Sequence, residues 1–473
     1  VTRITQISFT LLLAALVVAA GPACSLVPAG RAPVLVYTVN SASDGFEVRL
    51  DAEDLPGRHP AFRILDSWGA LADMPGHIEN IRAVDATGAE IGLTQAGEDG
   101  ETRWKLERNP GRFTLSYRVR GYEPAVSPEA SFVADARFVW IGYSVLLTPV
   151  NLSARAPASL SIHVRAPEGW EAWGSWPRED GVYRPANAHD AWSGFAAAGD
   201  FKSSHLSSDL AGVTVLTEGT ASAGLGLHIA NRLLPVLREM VALFGVSPRG
   251  DRLDVLALYR GLRSDGRRSV VSGTSQESAF LCMATPDRFN DLDGLTALAA
   301  HECFHLYIGG AVIASPEPPF QNAPDLIWLM EGITEYMAFR LMERSGGLTP
   351  AGFADVARRK EAEWLSTPGH RDLTLADAAR AMGDLRAYAL VYSRGFLVAR
   401  LIDEQMEAIS GPGAMDRALR RLFEEHNRYE GAGLLSEAQA MSAFERESPG
   451  IRSTIERYAV GREPLPTLER STP

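Results

Sequence analysis

Ala299-Ala300-His301-Glu302-Cys303-Phe304-His305-Leu306-Tyr307 is the stretch from which the rest of the chain can be read. On a helix, His301 and His305 stand one turn apart on the same face, close enough to share a single cation. Glu302 projects beside them, where a carboxylate can act as a base. Leu295, Ala297, Leu298, Ala299 and Ala300 precede the pattern, and Phe304, Leu306 and Tyr307 interrupt and follow it, so the helix is apolar on nearly every side and reads as buried. Burying two imidazoles and a carboxylate without partners costs on the order of 2 kcal/mol or more per group. A bound cation satisfies all three, and a pair of metal-free core histidines is the alternative.

Tetrahedral zinc in an open site takes three protein ligands. The third is expected from the next apolar segment, Leu326-Ile327-Trp328-Leu329-Met330-Glu331-Gly332-Ile333-Thr334-Glu335-Tyr336, with Asp325 as its N-cap after Pro324. Glu331 lies among Trp328, Leu329, Met330 and Ile333, which marks it as the third ligand. Glu335, one turn on, is placed either to orient a histidine from behind or at the surface.

Outward from these two segments the texture differs on either side of residue 217. After it, helical periodicity runs through 221–244, 292–307, 326–344, 373–409 with breaks and 415–425, with strands near 253–258 and 278–283. Before it, short alternating runs at 34–39, 46–50, 112–119 and 213–216 are separated by turn residues such as Asn109-Pro110-Gly111, the pattern of a β-sandwich. Trp68, Trp104, Trp140, Trp170, Trp173, Trp176 and Trp192 all fall in this first half and read as core fillers, with a ligand groove as the other reading. The fold expected is α+β and multidomain: a leader over 1–23, a β-sandwich over 31–217 and a mainly helical domain over 218–473. No internal repeat is visible.

Composition sets outer limits. Hydrophobic residues at 46% and charged residues at 22% of 473 are those of a folded globular protein, and a net charge of -12 excludes a general nucleic-acid binder. At the N-terminus, Arg3 precedes an apolar run from Ile7 to Ala20, then Gly21, Pro22 and Ala23 before Cys24. That run is shorter than the roughly 20 residues that span a bilayer. It predicts an export signal, and hence a periplasmic or cell-envelope protein. Cys24 raises lipid attachment as one outcome, membrane anchorage following from it, and plain cleavage as the other. The remaining cysteines, Cys282 and Cys303, either pair or stay as buried thiols.

These residues resemble the glycyl aminopeptidase family, metallopeptidase family 61, a relative of the thermolysin-like and aminopeptidase gluzincins. The resemblance rests on the histidine helix with its trailing Tyr307, on Trp328 to Tyr336 with its glutamate before glycine, on Val391-Tyr392-Ser393-Arg394-Gly395, and on the closing segment Tyr458 to Pro466. It covers most of the chain, the first domain more loosely. The resemblance implies a thermolysin-like zinc peptidase domain with one zinc per chain, peptide substrates, and Tyr392 as the donor to the oxyanion. Arg394 stands where relatives carry lysine.

Relatives also carry, before the histidine helix, a glycine-rich segment with a glutamate for the substrate's free amine. Here that segment reads Ser272-Gly273-Thr274-Ser275-Gln276-Glu277-Ser278, with Glu277 out of register. Aminopeptidase is therefore the expected activity, and endopeptidase of the same fold stays open beside it. A non-catalytic envelope protein with a metal-braced helical domain is the rival class. The PDZ-like domain that relatives often append is not expected, and the oligomeric state is not readable.

Overall fold

The computed structural model describes residues 31–466 except 69–70, 99, 151, 153–157, 219–223, 249–251, 262–270, 277–278, 286–288, 290, 313–322, 370, 383 and 429–431. The leader expected over 1–23, Cys24 and Glu277 lie outside the described residues.

Alternating apolar residues in the first half build long paired strands. Val34–Ala42, Gly45–Glu53 and Arg112–Arg120 run antiparallel side by side, with Val48 opposite Val39 on one side and Tyr117 on the other. They lie within an eight-stranded sheet, and two four-stranded sheets complete this half. Inward-facing Leu35, Tyr37, Phe46, Leu50, Phe62, Leu115, Phe138 and Trp140 form its core.

A five-stranded sheet follows, in the order 201–207, 211–218, 253–261, 279–284, 271–276. The strand at 211–218, read in sequence with the first half, is hydrogen-bonded in parallel to 253–261, which pairs in parallel with 279–284. Both faces of this sheet are apolar and each meets a different core. Val213, Val215, Val255, Ala257, Phe280 and Cys282 pack on the helices. Leu216, Leu256, Leu258 and Leu281 pack on the first half. A strand buried on both sides shows a continuous apolar run, so its membership is set by its neighbours in space. The sheet is therefore the layer that fixes one half of the molecule to the other. Arg260 on it reinforces the junction, donating to the carbonyls of Pro124 at 2.7 Å and Pro128 at 3.1 Å and lying over the Phe132 ring. Burial lowers its pKa to about 10.

The helices span Leu225–Phe244, Leu292–Phe304, Thr334–Arg344, Pro350–Ser366, Leu375–Arg380, Leu385–Ser410, Ala414–His426 and Glu437–Glu447, with shorter turns between. Two of them, 350–366 and 437–447, escape the apolar periodicity. The first buries only Val356, Ala357 and Trp364, so its signal is in its start: Thr349 accepts from the Gly352 N–H, with Pro350 at the first position. The second opens on a capping box between Ser436 and Gln439. Asp325 is not the N-cap expected of it. The chain enters through a 3-10 turn at Pro324–Leu326 preceded by Ala323, and the Asp325 carboxylate instead accepts from Arg380 at 3.0 Å. The turn that follows, Trp328–Ile333, is π-helical. Cys282 and Cys303 are free buried thiols, each in the apolar core between sheet and helices.

Helices 385–410 and 328–344 meet backbone to backbone. A Cβ on Gly332 would stand 3.0 Å from the Gly395 Cα, and one on Gly395 would stand 2.8 Å from the Gly332 Cα. Neither position has room for a methyl group. Gly395→Ala is expected to force these helices apart at a cost of about 1–3 kcal/mol. Urea unfolding of the variant against the parent chain, at matched slope, measures it.

Candidate metal centre

His301 and Glu302 lie in the last turn of the 292–304 helix, and His305 follows as its C-cap. The helix end is pinned by Tyr307, whose ring stacks on Phe244 with centroids 4.0 Å apart and whose hydroxyl donates to the Val246 carbonyl at 3.0 Å. Glu331 comes from the π-helical turn across from it. The Nε2 atoms of His301 and His305 are 3.0 Å apart, and Glu331 Oε2 lies 3.2 Å from the first and 3.5 Å from the second. Among the described residues this is the cluster of His, Cys, Asp or Glu donors that converges closely enough to hold a metal ion.

The hydrogen bonds behind the imidazoles decide what converges. Nδ1 of His305 faces the Ile308 carbonyl at 3.1 Å, an acceptor only, so that nitrogen carries the proton. Nδ1 of His301 faces Glu335 Oε2 at 2.8 Å, and the same reasoning applies. Two Nε2 lone pairs and a carboxylate oxygen are thus aimed at one point. Glu331 Oε2 is buried and has no hydrogen-bond donor. Three acceptors facing one another repel unless a cation lies between them. Donors about 2.0–2.1 Å from a tetrahedral zinc lie roughly 3.3 Å from each other, the spacing observed here, and two imidazoles with one carboxylate are a zinc donor set.

Charge in the cluster follows the same logic. Burial alone would depress His301, but Glu331 and Glu335 outweigh it and push its pKa up to about 10. Burial works against the Glu331 carboxylate, yet the two histidines hold it well below the usual range. Glu335 is likewise held down to about 2 against burial, by Lys360 and His301. Lys360 Nζ is 2.7 Å from Glu335 Oε1. A line Lys360–Glu335–His301 therefore backs the site, and the surface reading of Glu335 is excluded by its contacts. Sequence inspection did not find Lys360, because the helix that carries it shows no apolar stripe.

Glu302 and Tyr392 share the cleft that opens on this cluster. Burial raises the Glu302 pKa, and its Oε1 lies 3.1 Å from where a Cβ on Gly273 would stand, so the edge strand 271–276 passes directly over it. The Tyr392 ring lies 5.7 Å from that of His301, and burial followed by the charge of Glu331 raises its hydroxyl pKa well above 10. It stays a protonated donor. Arg394, two residues on, is engaged elsewhere: its two terminal guanidinium nitrogens donate to the carbonyls of Leu373, Tyr458 and Gly461, tying the 458–461 segment to this helix. Three carbonyl acceptors suit a guanidinium fork of donors. The first half of the chain also reaches the cleft, through Trp68, Tyr143 and Trp192, and Arg428 reaches it from the C-terminal side. Tyr143 and Arg428 carried no sequence signal.

Comparison with known proteins agrees with this geometry. The family model described as M61 glycyl aminopeptidase matches residues 294–398, and that for the peptidase M61 N-terminal domain matches residues 38–191, together more than half of the chain. No curated protein matches it. Among solved structures, an aminopeptidase N family protein from Idiomarina loihiensis has 16% identity and a TM-score of 0.76, with 92% of this chain and 77% of that one covered. The M1 zinc metallopeptidase from Deinococcus radiodurans has 15% identity and a TM-score of 0.57, with 92% and 96% covered. Leukotriene A4 hydrolase from Saccharomyces cerevisiae has 14% identity and a TM-score of 0.56, with 92% and 69% covered. At these identities the likeness is one of fold.

Replacing Glu331 by Ala removes the only anion among the three converging donors, so the purified variant is expected to lose its metal, read by elemental analysis. Glu335→Ala keeps all three donors and releases only the His301 ring. A fall in metal affinity of about 10–100-fold is expected, measured by competition with a chelator.

Proposed function

The chain belongs to the M61 glycyl aminopeptidase family, and from that premise we propose that it hydrolyses peptides at the cleft bounded by Glu302 and Tyr392, with one zinc per chain held by His301, His305 and Glu331. The observation that carries this reading is the convergence of the Glu331 carboxylate with two imidazole Nε2 atoms, whose Nδ1 atoms are already engaged, in a cleft that also presents a base and a hydroxyl donor.

Zinc supplies a Lewis acid there, acidifying water and polarising a carbonyl. The residues of the chain do the rest. Glu302, buried and with its proton affinity raised, takes a proton from the attacking water and returns it to the leaving amine. Tyr392, whose hydroxyl stays protonated, donates to the oxygen on which charge develops. Glu335 and Lys360 fix the His301 ring. The strand 271–276 pairs on one side with 279–284 and is the edge strand of the sheet among the described residues, a position where an extended peptide could add backbone to backbone.

The Deinococcus radiodurans relative has been solved as a mutant bound to a Tyr-ser-ala substrate. A short free-amine peptide of that kind is the substrate class proposed for this chain, with aminopeptidase action as the first reading and Glu277 as the proposed partner of the amine. Endopeptidase action is the second. Both place His301, His305, Glu331, Glu302 and Tyr392 in the same roles and differ at Glu277, and matched peptides with free and blocked amines separate them. The apolar stretch from Ile7 to Ala20 supports export to the periplasm or cell envelope, with Cys24 as the position for a lipid anchor.

Glu302→Gln is expected to keep its zinc and to lose turnover by about 10²–10⁴-fold. Undiminished hydrolysis by that variant rules the mechanism out. Tyr392→Phe is expected to lower kcat by about 10²–10³-fold with little change in KM, since the hydroxyl acts on charge that develops only during the reaction.

A further inference from the structure

Seven tryptophans lie in the first half of the chain, and they do not share one role. Trp104, Trp140 and Trp176 are at most 5% exposed and belong to the β core. Trp68 and Trp192 are only half-buried, and their free faces line the cleft that holds His301 and Glu302. With Tyr143, 1% exposed and also at the cleft wall, they form one cluster. The Trp68 and Tyr143 centroids are 4.9 Å apart, Tyr143 and Trp192 are 5.3 Å apart, and Trp68 meets Trp192 edge to face at 5.7 Å.

Each ring is held from behind. The Trp68 indole N–H donates to Glu129 Oε1 at 2.9 Å, and Glu129 accepts in turn from the Ser127 hydroxyl at 3.0 Å. That loop is the one whose carbonyls Arg260 grips from the central sheet. Tyr143 and Trp192 are adjacent because the turn 142–145 and the helix 188–193 touch through Gly142, where an added Cβ would stand 2.1 Å from the Ala191 carbonyl oxygen. His189 stacks on Trp192 with centroids 6.1 Å apart. Aromatic surface held rigid and left facing a cleft loses no side-chain freedom when a ligand covers it, which is the condition under which burial turns into selectivity.

We propose that Trp68, Tyr143 and Trp192 form the subsite for the substrate's side chain next to the scissile bond, and that it selects aromatic and large apolar residues. A glycine at that position leaves the rings uncovered, so this chain departs from the glycyl preference in its family's description. The inference rests on the peptidase reading of the same cleft. The first half of the chain then decides which peptides the second half cleaves.

The test uses peptides that differ only in the residue contributing the scissile carbonyl: glycine, alanine, lysine or phenylalanine. For the zinc-loaded parent, kcat/KM is expected to be at least tenfold higher for phenylalanine than for glycine, and Trp192→Ala and Trp68→Ala are each expected to reduce that ratio by about tenfold. Circular dichroism and metal content confirm that both variants are folded and loaded. A parent that favours glycine or lysine, or variants with an unchanged ratio, overturns the proposal. If the parent cleaves none of the peptides, the peptidase reading fails, and the subsite is judged separately by calorimetry on the Glu302→Gln chain. There the phenylalanine peptide is expected to bind about tenfold more tightly than after the further change Trp192→Ala, and equal binding overturns the subsite.

Discussion

Two imidazole lone pairs and a carboxylate oxygen are forced into one buried point, and the rest of the second half is arranged to keep them there. Their outward atoms are already satisfied, His301 by Glu335 and His305 by the Ile308 carbonyl, so neither ring can turn to escape the repulsion. The apolar packing of the 292–304 helix and the stacking of Tyr307 on Phe244 hold one side of the cluster. The glycine-to-glycine contact between helices 328–344 and 385–410 holds the other. A close-packed interior yields little, so the protein itself imposes the geometry that a cation would complete.

That glycine contact couples two parts of the site. Glu331 precedes Gly332, and Tyr392 stands three residues before Gly395. The separation of the helices at this crossing therefore sets how far the proposed ligand stands from the proposed oxyanion donor. The π-helical turn at Trp328–Ile333 belongs to the same adjustment, since a wider turn rotates Glu331 relative to the regular helix that follows it. Arg394 then closes the arrangement by binding the C-terminal segment to the tyrosine's helix, a task that needs a planar fork of donors.

The central sheet does a different kind of work. Because each face meets a separate apolar core, neither half can shift without exposing leucines or valines on one side of it. Arg260 extends this constraint to the loop that carries Glu129, and through Glu129 to Trp68. The aromatic wall is thus tied to the metal cluster by rigid elements throughout. The aromatic cleft wall and the His301, His305 and Glu331 cluster lie on different halves of the chain and share one framework.

The sequence by itself determined the chemistry-bearing residues, because their signal is local. His301, Glu302 and His305 are fixed by helical spacing, Glu331 and Glu335 by a second apolar helix, and the β and helical halves by periods of two and of 3.6 residues. Family resemblance added Tyr392 and marked Arg394 as standing in place of a lysine. Only the tertiary structure decided the partnerships that carry no periodic signal. It placed strand 211–218 in the central sheet, because a strand buried on both faces looks alike in either half. It brought Lys360 behind Glu335 from a helix with hardly any apolar stripe, and it turned two tryptophans from core filler into cleft wall. In each case the deciding contact joins residues far apart in the chain, and which faces meet is fixed by packing, which no window of sequence contains.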